Sequence, residues 1–326
     1  MTSAERYRLT LNHKEPDRIP MRDDFWEATI NSWKSAGFPP DGKSVWEYFG
    51  FDGWASIGAN LWFRDNEKEY DIQIHSRKDW EEHKSLYKYC DARVDFEGAL
   101  KTYKNCKEHD IYLVYGGGAL GFDLWQNRVG IVHFLMSMID DPEWIKELFM
   151  ANVDLNIAVV EELTGRGIQF DAAMFYDDLG YKTGPFFSAQ MYREQLFPAH
   201  KKLCDFLHSK NMKVILHSCG GIRPFIPMLI EAGFDCFEPL EVKAGMDLIE
   251  LKKSFGDVVS FMGGIDVRAM AHPDPKIIEE EIKTKIPIAM KGGGYIFHSD
   301  HSVPHNVSFQ QYEHTIELVK KYGTYK

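Results

Sequence analysis

The chain has little cysteine: Cys90, Cys106, Cys204, Cys219 and Cys236, scattered and odd in number among 326 residues. That excludes a disulfide-held scaffold. The opening stretch "MTSAERYRLTLNHKEPDRIP" has no apolar signal-type core. Together these give the expectation of a cytoplasmic protein with reduced thiols, in which a working cysteine is a ligand or a nucleophile. No run approaches the roughly 18 apolar residues of a membrane span. Basic residues are the minority, 38 against 49 acidic ones, for a net charge of −11 at pH 7. That balance argues against nucleic acid or an anionic membrane surface as partner, though not against a small basic pocket. No G-x-G-x-x-G follows a strand to open a helix, which weakens a dinucleotide site. The glycines of "VYGGGALGFD" (114–123) lack the Lys-Ser/Thr of a phosphate-binding P-loop, leaving a substrate-lining loop or backbone anion cradle as their reading. No D-x-H-x-x-G segment offers a resident cobalamin site. Linkers, strict repeats and low-complexity segments are also missing, so a single domain over 1–326 is expected.

At 44% hydrophobic, the chain can bury a large core. Short apolar runs of strand type fall at 111–116, 172–178, 213–218, 234–239, 258–264 and 294–300, separated by amphipathic stretches. Strands spaced by helices imply a parallel sheet. Before residue 111 the pattern is less regular: "RIPMRDDF" (18–25) reads as a first strand, and "GFDGWASIGAN" and "EYDIQIHS" as strand or hairpin. "SAQMYREQLFPAHKKLCDFLHSK" reads as a helix broken or kinked at Pro198. The expected fold is α/β, a (β/α)8 TIM barrel with an N-terminal helical extension; a doubly wound open sheet is the competitor.

Polar residues gather where the apolar runs end, and in a barrel those ends meet at one mouth. "VILHSCGG" (214–221) stops on His217-x-Cys219, an imidazole and a thiol suited to zinc. A catalytic zinc takes a third protein ligand, and "FHSDHSVPH" (297–305) offers His298, Asp300, His301 and His305. Asp177-Asp178 could bind a substrate group, ligate a metal, or act as acid and base. Glu238 ends another run and could face the mouth. Asp266, after Gly263-Gly264, reads as a helix cap. The bland alternatives are a buried histidine with an inert thiol, a capping aspartate and a salt-bridged glutamate.

Several blocks resemble the uroporphyrinogen decarboxylase superfamily, in order: "NHKEPDRIP", "DDLGYKTGPFFSAQMYREQLFPAHKKL", "HSCGGIRPFIPMLIEAGFDCFEPLE", "FMGGIDVRAM" and "GGGYIFHSDHSVPHNVSFQQYEHTIELV". The R-Q-A-G-R type motif of the decarboxylases is missing; the corresponding region reads "RIPMRDDFWEATINSWKSAGF". The H-x-C motif is similar to that of the cobalamin-dependent methyltransferase branch. The resemblance implies a zinc-dependent methyltransferase moving a methyl group from a small ether, amine or thiol-type substrate to a corrinoid protein, or from it to a thiol. It implies zinc on His217, Cys219 and a third ligand, with cobalamin on a separate partner. That branch often supplies a cysteine from a G-C-G segment, where this chain has "SDHSVP"; His301 is the first choice in its place, with Asp300 and His298 as rivals. Asp177, Asp178 and Glu238 are expected to line the pocket as catalytic groups. The competing readings are a metal-independent decarboxylase, for which Arg22 and Arg128 would bind carboxylates, and a non-catalytic barrel that binds a corrinoid or small molecule. The oligomeric state stays open, a homodimer included.

Overall fold

The computed structural model describes residues 1–326. Seven strands form one parallel sheet: β1 Trp54–Gly58, β2 Tyr112–Ala119, β3 Ala172–Tyr176, β4 Lys213–His217, β5 Cys236–Glu238, β6 Ser260–Met262 and β7 Tyr295–Ile296. Each pairs with the next in sequence, so every connection crosses over, and helices occupy the crossovers. This sequential order removes the doubly wound sheet, whose strand order reverses.

Alternation along the strands sorts side chains into two layers. Val114, Ala172, Met174, Ile215, Cys236, Met262 and Ile296 form one buried cluster with Ala4, Tyr7 and Leu11. Their strand neighbours, among them Tyr115, Phe175, Leu216 and Phe261, join the larger cluster shared with the helices. The first layer is therefore the inward face of the curled sheet. The helix Ser3–Thr10, started by a Thr2/Glu5 capping box, closes its lower end. Ala4 N–H donates to Asp110 O, Arg8 pairs with Asp171, and Gly294 N–H donates to Thr10 O. All three partners lie just before a strand, so the helix covers the amino ends and leaves the carboxyl ends for chemistry.

The eighth strand expected at 18–25 is present as isolated bridges, parallel from Met21 to Phe297 and Phe25 to Val303 and antiparallel from Arg18 to Thr324. Pro20 has no N–H to give, and Met21 N–H is taken by the Asp52 carboxylate instead of a neighbouring backbone. The segment still lies between the two edges: Phe297 N–H donates to Pro20 O, and Asp52 N–H to Met21 O. "EYDIQIHS" is not a strand either; Ile74 is buried and its N–H reaches Arg128 O. The three consecutive glycines of "VYGGGALGFD" lie inside β2, where the register shifts between Gly116 and Gly118, while Gly121 opens the next helix. A Cβ on Gly117 would sit 1.9 Å from the Phe175 ring, so close packing, not a loop, requires glycine there. Pro198 follows a π-helical turn, Tyr192–Leu196, that widens the ladder ahead of the missing donor. No helix is long and apolar enough to cross a membrane.

Candidate metal centre

Inward parity continues to the carboxyl ends of the strands. Tyr176, His217 and Glu238 are register partners across β3, β4 and β5, each two residues beyond an inward-facing Met174, Ile215 or Cys236. His298 lies two residues beyond inward-facing Ile296 and is buried. The chain then leaves β3 through Asp177-Asp178 and β4 through Ser218-Cys219-Gly220-Gly221. The two exits touch. Cys219 N–H donates to Asp178 Oδ1 at 2.8 Å, and Leu179 N–H to Ser218 Oγ at 3.1 Å. Gly220 has φ +79°, and a Cβ there would lie 2.4 Å from the Gly180 carbonyl. Only glycine allows this contact, and it fixes Cys219 above the strand end.

The result is a cluster of three donors. His217 Nε2 lies 3.5 Å from Cys219 Sγ and 3.6 Å from Asp178 Oδ1, with all three atoms within 4.8 Å of one another. Zinc–ligand bond lengths at tetrahedral angles put nitrogen about 3.6 Å from sulfur and about 3.4 Å from oxygen, so the donors fit one ion. His217 Nδ1 bonds to the buried Glu238 carboxylate, which leaves Nε2 directed at the other two donors. Burial opposes the His217 imidazolium, yet Glu238 and Cys219 outweigh it and push the imidazole up to about 12. Burial raises the Cys219 thiol and Asp178 adds to the rise, while His217 opposes both. Two potential anions facing one nitrogen form a donor set that favours a cation.

Glu238 also faces a second group. Its Oε1 lies 3.6 Å from His298 Nε2, which is equally 3.6 Å from Asp24; His298 Nδ1 is 3.5 Å from Asp23. Burial disfavours the His298 imidazolium, but Asp23, Asp24 and Glu238 prevail and raise it to about 9. A raised native pKa stabilises the fold fully below the unfolded value of about 6.5 and loses that contribution as pH rises through about 9. The stability gap between the wild type and His298→Gln is therefore expected to shrink steadily from pH 6.5 to 9, as read by urea unfolding. A gap constant across that window would refute the assignment.

The other expected site residues separate cleanly. Asp178, His217, Cys219, Glu238 and His301 line one cavity of about 500 Å³, with Arg22, Asp24, Phe25, Trp26, Trp46 and Tyr176. His301 stacks on Trp26, with ring centroids 5.7 Å apart, and is not a member of the donor cluster. Asp300 is committed elsewhere: it accepts Val242 N–H at 3.0 Å and Val267 N–H at 2.9 Å, joining two loops. His305 is exposed. Asp177 is not at the cavity. It is fully buried, accepts Asp123 N–H at 2.8 Å at the start of the helix Gly121–Val129, and faces His200 Nε2 at 3.2 Å. Burial, partly opposed by His200, lifts its carboxyl to about 6. The adjacent aspartates thus divide the work, one fixing the loop and the other facing the cavity. Asp266 caps the helix Val267–Met270. Asp24 and Tyr176 are the site members that sequence reasoning left unplaced; the acid pair in "RDDF" was the available signal for the first.

Fold and site together define an α/β protein with a metal-suited donor cluster at the carboxyl ends of a curled parallel sheet. The family model for uroporphyrinogen decarboxylase (URO-D) matches residues 111–322, and the chain belongs to that family. Among solved structures, a methyltransferase from Methanosarcina mazei overlays with a TM-score of 0.65 at 14% identity, covering 99% of each chain. That likeness shows the fold. A D-psicose 3-epimerase from Clostridium cellulolyticum H10 matches at 9% identity and TM-score 0.41, over 93% of this chain and 98% of that one. It does not bear on the site. No curated protein matches the sequence.

Proposed function

We propose that the protein is a metal-dependent methyltransferase acting on a small methylated substrate, with zinc held by Asp178, His217 and Cys219. The observation that carries this reading is the spacing of those three donors, backed by Glu238. Zinc bound there would supply a Lewis acid for the heteroatom that bears the methyl group. Glu238 holds the His217 ring in the orientation that keeps Nε2 toward the cavity. Trp26, Trp46, Phe25 and Tyr176 give the cavity an aromatic wall against which a small apolar methyl donor could pack. The protein of like fold from Methanosarcina mazei is named a methyltransferase, which agrees with this reading.

The methyl acceptor, cobalamin on a separate corrinoid protein, follows from the resemblance of the sequence blocks. The decarboxylase alternative calls for several cations in the mouth. Beside the donor cluster there is one arginine, Arg22, already paired with Asp24 at 3.3 Å; of the two in the neighbouring cavity, Arg93 is bonded to four backbone carbonyls, which leaves Arg128 alone to hold a carboxylate. The test is methyl transfer from panels of methyl ethers, methylamines and methyl thioethers to reduced free cobalamin, followed by the absorbance of methylcobalamin. One panel is expected to react with the wild type and not with Cys219→Ala. Reaction undiminished in Cys219→Ala would overturn the reading.

A further inference from the structure

A second cavity, of about 700 Å³, opens beside the metal site. It lies over the carboxyl ends of β1 and β2, where Gly58, Gly118 and Ala119 contribute its floor. Ala119 is the register partner of Tyr176, and Tyr176 lines the metal cavity, so the two cavities are neighbours at the same end of the sheet.

Its charge is unusual for so acidic a protein. Arg93 and Arg128 both line it, each at least nine-tenths buried, and neither has a carboxylate within 4.0 Å. Arg93 is spent structurally: it donates to the carbonyls of Asn60, Trp62, Leu86 and Lys88. Arg128 is not. Its one hydrogen bond runs from Nη2 to Leu61 O at 3.3 Å, and Nε and Nη1 have no partner. Aromatic rings compensate part of its charge: its Cζ lies 4.3 Å from the Trp62 centroid and 5.2 Å from that of Phe63. Rings stack on the faces of a guanidinium and do not accept the N–H groups in its plane. A buried cation with idle donors is costly unless something completes it. Of the amides that line the cavity with it, Asn60 donates to Glu69 and Asn127 to Asp123, which leaves the Gln73 amide as the neutral donor beside the arginine.

We propose that this cavity is an anion-binding lobe of the mouth, in which Arg128 receives a carboxylate or phosphate group carried by the substrate. The anion site stands on its own geometry. That its occupant is part of the methyl donor rests on the proposed function, with the anion in this lobe and the reacting heteroatom at the metal cavity.

Benzoate and inorganic phosphate are the probes, titrated into the full-length protein at constant ionic strength. Binding is read by calorimetry and by intrinsic tryptophan fluorescence, compared with that of Trp62→Phe because Trp62 covers Arg128. At least one anion is expected to saturate the site; preference for benzoate assigns a carboxylate, and preference for phosphate a phosphate ester. Arg128→Met should weaken binding at least about tenfold. Because that change alters a packed aromatic box, Asn127→Asp serves as the second variant. It places an acid on an exposed side chain at the rim, leaves the guanidinium untouched, and should also weaken binding. Cys219→Ser should bind the anion as the wild type does, so failure here is separable from failure of the metal reading. Saturation by neither anion, or undiminished binding in both Arg128→Met and Asn127→Asp, would overturn the proposal.

Discussion

His217→Ala and Cys219→Ala are each expected to lower zinc affinity by roughly 100- to 1000-fold, a per-ligand share of the free energy that zinc sites of this type release. Asp178→Ala should fall in the same range, because its Oδ1 stands 3.6 Å from His217 Nε2 as a third donor. Glu238→Gln keeps all three donors but removes the carboxylate behind His217, and should cost about 10- to 100-fold. His301→Ala is the contrast. The ring stacks on Trp26 outside the donor cluster, so zinc affinity should stay close to that of the wild type. Competition with a chromophoric chelator measures all five. A large loss in His301→Ala with none in Asp178→Ala would reverse the ligand assignment.

Asp52→Ala is expected to destabilise the protein by about 3–5 kcal/mol, the usual cost of stripping a buried ion network of one partner. The Asp52 side chain is 1% exposed and bonded to Arg6, Arg18 and the Met21 N–H. Removing it leaves Arg6 with Asp17 as its one carboxylate, Arg18 with none, and the Met21 N–H without its acceptor. It also loosens the segment 18–25, which Asp52 anchors through the Met21 N–H and which carries Arg22 and Asp24 to the cavity. Urea unfolding should show the midpoint falling with little change in slope. A loss below about 1 kcal/mol would mean that water or other groups already satisfy the arginines.

The strands were legible because each is an apolar run bounded by polar residues or glycine, and a parallel sheet buried on both faces needs little else. Residues 18–25 take the place expected of a strand but form single bridges, not a continuous ladder, because Pro20 has no N–H and the Met21 N–H goes to the Asp52 carboxylate. The H-x-C pair was legible because its spacing is local. The place of Asp178 beside them was half legible: the aspartate pair reads as one that can ligate a metal, but which of the two meets the cluster depends on two loops touching at Gly180 and Gly220, a contact with no signature in spacing. Histidine's reputation as a ligand favoured His301, while the structure turns that ring onto Trp26 and turns Asp178 toward the cluster. Asp177 and Asp178 are indistinguishable in sequence; burial against His200 separates them.

The most direct test of the metal reading is the metal content of the purified wild-type protein, measured by elemental analysis beside Asp178→Ala. The expected result is about one equivalent of zinc per chain in the wild type, lost in a variant that keeps its circular dichroism spectrum. A metal-free wild type that transfers methyl groups at full rate would contradict it.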